Sequence, residues 1–154
     1  LADAAFARRA MPYLDEALFS LHGPDAVTHD ALTRRPGSFD RLARAMQNAS
    51  SHPGFRPFVN TVVTRHNVER LPETTALAAS RGAALLVVSN LTPEGQGEDD
   101  YTQLSVPLRT LAHVVPRVVE AAGSMIVRFF GVPACVLGPY RMLSNDIHWN
   151  ARVT

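Results

Sequence analysis

Apolar residues in this 154-residue chain switch repeatedly between the period of a helix and the period of a strand, and this alternation limits the folds open to it. Asp3 is placed to cap a short helix to about Met11, and residues 12–21 read as a buried strand. Ser38 precedes Phe39, Leu42, Ala43 and Met46, the i, i+3, i+4, i+7 stripe of an amphipathic helix with Ser38 as its N-cap. Residues 58–64 are short and β-branched, a second strand. Pro72 suits the first turn of a helix running to Arg81, and Gly82 suits the left-handed position that ends it. Residues 83–91 form a third strand, apolar on both faces as a covered parallel strand requires. Leu104, Leu108, Leu111, Val115, Val118 and Val119 mark a longer helix, kinked or split at Pro116, and residues 125–130 a fourth strand. Residues 92–103, with Pro93, Gly95, Gly97 and an acidic run, read as the loosest stretch.

The order α, β, α, β, α, β, α, β makes parallel β/α units the economical arrangement, either as a doubly wound sheet or as an open barrel. At 46% hydrophobic residues the chain is long enough for one core. Its 15 basic residues are all arginine and are balanced by 14 acidic ones, which leaves no basic footprint for nucleic acid or an anionic membrane. One cysteine, Cys135, cannot form an internal disulfide, and no stretch approaches a membrane span; a reducing cytoplasm is the expected location. The first residues carry no signal-type pattern, and the sequence reads as an excerpt of a longer protein.

In parallel β/α folds ligands bind at the carboxyl ends of the strands, where loops diverge and helix N-termini converge. Here those ends are polar and near neutral. The first offers Ser20, His22 and Gly23. The second carries Asn60 and Thr64, followed by His66 and Asn67, and the third ends in Ser89, Asn90, Thr92, Pro93, Glu94 and Gly95. Such groups suit a ligand with hydroxyls, an amide-like ring edge and a zwitterionic tail, although each alone also serves turns and caps. His29 with Asp30, and His148 with Trp149, are adjacent pairs whose side chains diverge, which makes them structural or exposed rather than acid/base partners. Cys135 reads as a buried small residue, and no Cys or His spacing makes a zinc site.

The ordered set "LDEALFSLHGPDAVTHDALTRRPGSFDRLARAMQN", "VNTVVTRHNVERLPE" and "GAALLVVSNLTPEGQG" resembles the fourth, fifth and sixth strand units of a radical S-adenosylmethionine (radical SAM) enzyme. The later "MIVRFFGVPACVLGPY" resembles a segment some members carry after the barrel. The resemblance implies an α/β fold, a partial parallel β/α (TIM-like) barrel present as a fragment. Residues 1–97 would be its later half, and residues 98–154 a helix, strand and irregular tail of the same domain. It implies S-adenosylmethionine, cleaved reductively at a [4Fe-4S] cluster to begin hydrogen abstraction from a small-molecule or peptide substrate. A flavodoxin or ferredoxin would donate the electron, with no nucleic acid or membrane partner. By the same resemblance, Ser20, His22, Asn60, Thr64, Asn67, Asn90, Leu91 and Pro93 would bind the cofactor, with no catalytic residue assigned and no metal ligand in this chain. The family's CxxxCxxC loop and the Gly-Gly-Glu-Pro-like segment that holds the cofactor's amino group are both missing, so the cluster would be bound by residues outside the chain and the chain alone would be inactive. A non-catalytic binding module, or another β/α-barrel enzyme such as an aldolase or hydrolase, is the alternative.

Overall fold

The structure, a computed structural model, describes residues 1–145; His148 and Trp149 lie outside the described residues. Four strands, β1 (Glu16–Ser20), β2 (Arg56–Val63), β3 (Leu85–Asn90) and β4 (Ile126–Phe130), form one sheet in the order β1-β2-β3-β4, and every pair is parallel. Each crossover therefore steps to the next strand in the same direction. Because such crossovers are right-handed, steps in one direction place all the connecting helices on one face of the sheet. A doubly wound sheet must reverse direction to cover both faces. The sequential order thus decides for the barrel-type alternative: this is an α/β fold consistent with part of a parallel β/α barrel.

Burial alternates accordingly. Pro57, Val59, Thr61 and Val63 of β2, Leu86 and Val88 of β3, and Val127 and Phe129 of β4 face the helices and are buried. Residues of opposite parity face away, where Leu18, Ile126 and Phe130 are 62%, 53% and 47% exposed. The helical layer consists of α1 (Ala4–Ala10), α2 (Ala26–Thr33), α3 (Ser38–Ser50), α4 (Leu71–Ser80) and α7 (Leu108–Ala122). Short turns α5 (Gln96–Asp99), α6 (Tyr101–Leu104) and α8 (Ala134–Leu137) lie in the connections. In the core between the layers, Leu71, Leu86, Leu111, Val114, Val118 and Phe129 are fully buried. Each such side chain contributes about 1.5–3 kcal/mol of hydrophobic stabilisation.

Local chemistry explains most boundaries. Asp3 accepts from the Phe6 N–H and Asp25 from the Thr28 N–H, each opening a helix. Pro72 sits in the first turn of α4, and Gly82 follows it at φ 76°, as the sequence suggests. Other expectations are corrected. The first strand is shorter than residues 12–21, because Pro12 falls in a 3₁₀ turn, Met11–Tyr13. Ser38 is the first helical residue of α3 and not its cap: Gly37 occupies the N-cap position at φ 76°, and the Asp30 carboxylate, reaching over from α2, accepts from the Gly37 N–H, the Phe39 N–H and the Ser38 hydroxyl. Those bonds, led by the one from Phe39, hold the Asp30 carboxyl below its ordinary pKa. Helix α7 begins at Leu108 and continues through Pro116 without a break, while Leu104 belongs to α6. Cys135 is exposed, because α8 turns Leu137 inward and its second residue outward. Within residues 92–103 the two short turns α5 and α6 interrupt the loop.

Candidate functional site

The carboxyl ends of β1 and β2 are tied by side chains. Beyond β1 the Leu21 N–H still donates to the Asn60 carbonyl at 2.9 Å, after which the backbone turns toward α2. The ladder is carried one step further by a ring: His22 Nδ1 accepts from the Val62 N–H at 3.2 Å. The His22 N–H in turn donates to Nδ1 of His29 at 3.0 Å, and the two imidazoles stack with centroids 5.7 Å apart and planes 14° apart. Both Nδ1 atoms accept main-chain protons, so both rings are neutral and carry hydrogen on Nε2. Their electrostatics agree with this. Burial, and secondarily the repulsion that a protonated His29 would exert, lowers the His22 pKa to about 4, and burial lowers that of His29. His29 is thus structural, as its place beside Asp30 suggests.

Asn67 completes the clasp. Its Oδ1 accepts from the Thr64 N–H at 2.8 Å and from the Thr64 hydroxyl at 3.2 Å. Its Nδ2 donates to the His22 carbonyl at 3.0 Å and to the Val62 carbonyl at 2.9 Å. Asn67 has no exposed surface and Thr64 is 3% exposed. Thr64 and Asn67, expected to line a cofactor site, therefore spend their polar groups on holding the edge that such a site would rest on. Gly23 is required here by contact and not by a sharp turn in φ: a Cβ there would lie 2.5 Å from Thr28 Cβ and 2.9 Å from the His29 nitrogen.

Ser20 and Asn60 lie elsewhere, on the sheet face that carries no helices. They are paired in register across β1 and β2, with Ser20 exposed and Asn60 half-buried. The Ser89 hydroxyl of β3 donates to Asn60 Oδ1 at 2.6 Å, which fixes the amide and leaves its Nδ2 group without a partner among the described residues. Asn90, Leu91 and Pro93 follow at the end of β3 and in the loop beyond, with Asn90 and Leu91 half-buried and Pro93 exposed. Ser20, Asn60, Thr64 and Asn90 thus share the carboxyl side of the sheet, although Ser20 and Asn60 line its open face and Thr64 is sealed inside the edge.

Sequence reasoning passed over Arg128, which lies in the same cross-strand row as Ser20 and Asn60, through Val87. A single charge amid the apolar run of residues 125–130 was the available signal.

The open face has hydroxyl and amide groups suited to the ribose and polar edge of S-adenosylmethionine. The same residues do not fit an iron–sulfur cluster, which takes several thiolates: the sequence has one cysteine, and among the described residues no group of three or more His, Cys, Asp or Glu could hold a metal ion. Among the described residues no helix is long and apolar enough to cross a membrane.

The chain is 41% identical over 95 residues, 62% of its length, to mycofactocin maturase MftC of Mycolicibacterium smegmatis, of which the match covers 24%. It is 38% identical over 95 residues to the protein of that name from Mycobacterium tuberculosis. To the AdoMet-dependent heme synthase of Methanosarcina barkeri it is 32% identical over 80 residues, 52% of this chain and 23% of that one. The matches span about a quarter of the length of these curated relatives. No family model and no solved structure matches. The relatives bear out the resemblance to radical SAM enzymes read from the sequence.

Proposed function

We propose that this chain forms one wall of the S-adenosylmethionine site in a radical SAM enzyme that modifies a peptide, with the cluster held by cysteines outside this sequence. The observation that carries the reading is the one-sided sheet. Its helix-free face presents the paired Ser20 and Asn60, the latter set by Ser89, at the carboxyl ends of parallel strands, where β/α folds bind their ligands. A peptide substrate is favoured by the similarity to a maturase, and a flavodoxin or ferredoxin would be the electron donor.

When bound, S-adenosylmethionine supplies the hydrogen-abstracting chemistry. The chain's own residues bind and orient it. Ser20 Oγ both donates to and accepts from ribose hydroxyls, and Asn60 Nδ2 donates to an acceptor on the same ligand. Asn90, Leu91 and Pro93 approach the adenine through main chain and apolar contact. His22, Thr64 and Asn67 support the site from beneath by keeping the ends of β1 and β2 in register, so that a ligand meets a preset surface.

The test is titration of S-adenosylmethionine into the full-length protein and into its Ser20→Ala and Asn60→Ala variants. Each loss of a hydrogen bond should weaken binding about fivefold to tenfold. Unchanged affinity in both variants refutes the placement. Release of 5′-deoxyadenosine under reducing, anaerobic conditions separates the enzyme from the binding module, which would bind and release nothing.

A further inference from the structure

The connection from β3 to α7, residues 91–107, leaves the carboxyl edge of the sheet and comes back to it. It departs from Asn90, the in-register partner of Val63 on β2. It is caught again two residues beyond Val63, where the Arg65 N–H donates to the Leu104 carbonyl at 2.9 Å and Arg65 Nε to the Ser105 carbonyl at 2.8 Å. The two roots of this loop thus stand at the ends of neighbouring strands, the form of an Ω-loop. Between Leu91 and Asp99 the described hydrogen bonds are local: the Glu94 N–H donates to the Thr92 carbonyl at 2.9 Å and the Glu98 N–H to the Gly95 carbonyl at 3.1 Å. Thr92, Pro93, Glu94, Gly95, Glu98 and Asp99 are exposed.

A side-chain contact draws the loop aside. Arg34, the C-cap of α2, donates from Nη2 to Asp100 Oδ2 and so holds the returning limb against the helical layer. Among the described residues Arg34 is the one non-glycine at positive φ, 53°, where glycine would be unstrained. Its side chain gives a reason for arginine there. Both partners of the pair keep exposed surface, and exposed ion pairs are weak. Gly95, at φ 58° and ψ −136°, supplies a joint that a residue with a Cβ would resist. A weak latch, a glycine joint and two roots on β2 and β3 describe a flap that can turn about the strand ends. The open face, with Asn60 of β2 bonded to Ser89 of β3, lies just across that line.

We propose that residues 92–100 are a lid, parked against α2 by the Arg34–Asp100 ion pair and free, when that pair opens, to swing across the carboxyl ends of β2 and β3 onto the open face. Closure covers the Asn60–Ser89 pair and shields a ligand there from water. Because the latch is weak, a ligand that gains a little contact with the lid shifts the balance toward closure. Only the identity of that ligand rests on the cofactor reading above; the latch and the swing do not.

The experiment uses the full-length protein and begins with two readouts that need no ligand. In the first, hydrogen exchange of residues 98–105 is compared between the unaltered protein, Arg34→Gly, which removes the guanidinium and relieves the backbone, and Asp100→Asn. Loss of an exposed ion pair should speed exchange there about twofold to fivefold and leave the Val62 and Thr64 amides unaffected. In the second, p-benzoylphenylalanine in place of Ser20 reports the swing: photo-crosslinks to residues 92–100, mapped by mass spectrometry, should rise by the same factor when Arg34→Gly is added. Unchanged exchange in both latch variants, or crosslinks absent with and without Arg34→Gly, overturns the proposal. S-adenosylmethionine should then slow exchange of residues 98–105 in the unaltered protein and in both latch variants. Its failure to bind strikes the cofactor reading and leaves the lid standing on the first two readouts, whereas binding without protection overturns the lid.

Discussion

Removal of the Asn67 side chain should loosen the carboxyl edge more than any other single substitution there. Asn67→Ala strips partners from the Thr64 N–H, the Thr64 hydroxyl and the carbonyls of His22 and Val62, all within 3.2 Å of the amide. At about 1 kcal/mol for each bond lost in a buried setting, four bonds amount to about 4 kcal/mol, and water entering the vacated space recovers part of it. The expected cost is therefore about 3–4 kcal/mol. Thr64→Val deletes only the 3.2 Å bond and should cost about 1 kcal/mol. Asn67→Asp keeps the acceptor but turns a carboxylate oxygen toward two carbonyls. It should be at least as damaging as alanine near neutral pH and recover in acid, as protonation restores a donor. Denaturant melts of the full-length protein give the totals, and hydrogen exchange of the Val62 and Thr64 amides locates them. If Asn67→Ala costs less than about 1 kcal/mol, or if those amides keep their protection, the clasp is not what holds β1 to β2.

Two further outcomes follow from groups the fold constrains. Because the His22 pKa falls from 6.5 to about 4 and that of His29 is lowered as well, the unfolded chain binds more protons than the native one in that window, so stability should be level above pH 6.5 and decline as pH falls toward 4. The His22 share is on the order of 3 kcal/mol, and a stability curve flat between pH 6.5 and 4.5 would contradict the neutral pair. Thr61 is fully buried on β2 and its hydroxyl has no partner among the described residues; Thr61→Val, which keeps the shape, should raise stability by about 1 kcal/mol in the same melts, and a loss would reveal a bond to that hydroxyl.

Much of the fold was legible because its signals are local. The change between helical and strand periods placed all four strands, and Pro72 and Gly82 act through their own backbone preferences. The faces of the strands were not legible. Leu18 and Phe19 are both apolar, and only the register and the side taken by the helices make Phe19 core and Leu18 surface. The same holds for the site. That polar residues end the strands could be read directly, but the division of labour among them is tertiary: Asn67 reaches back to the His22 carbonyl, and Asp30 caps a helix to which it does not belong. Cys135 went wrong for a related reason, since a small side chain suits either environment and the turn at α8 decides.

The sequential strand order has a consequence for how the domain is made. Every strand is templated by the one synthesised just before it, so the sheet can grow by accretion while the chain emerges, without waiting for a distant partner. Growth of that kind also propagates mistakes. A one-residue slip as β3 docks on β2 would turn Ser89 and Val88 to each other's faces, burying a hydroxyl and breaking the Ser89–Asn60 bond, and β4 would inherit the error. The hydroxyl–amide pair in mid-sheet is in this sense a proofreading contact, made only when the third strand has been laid down in register.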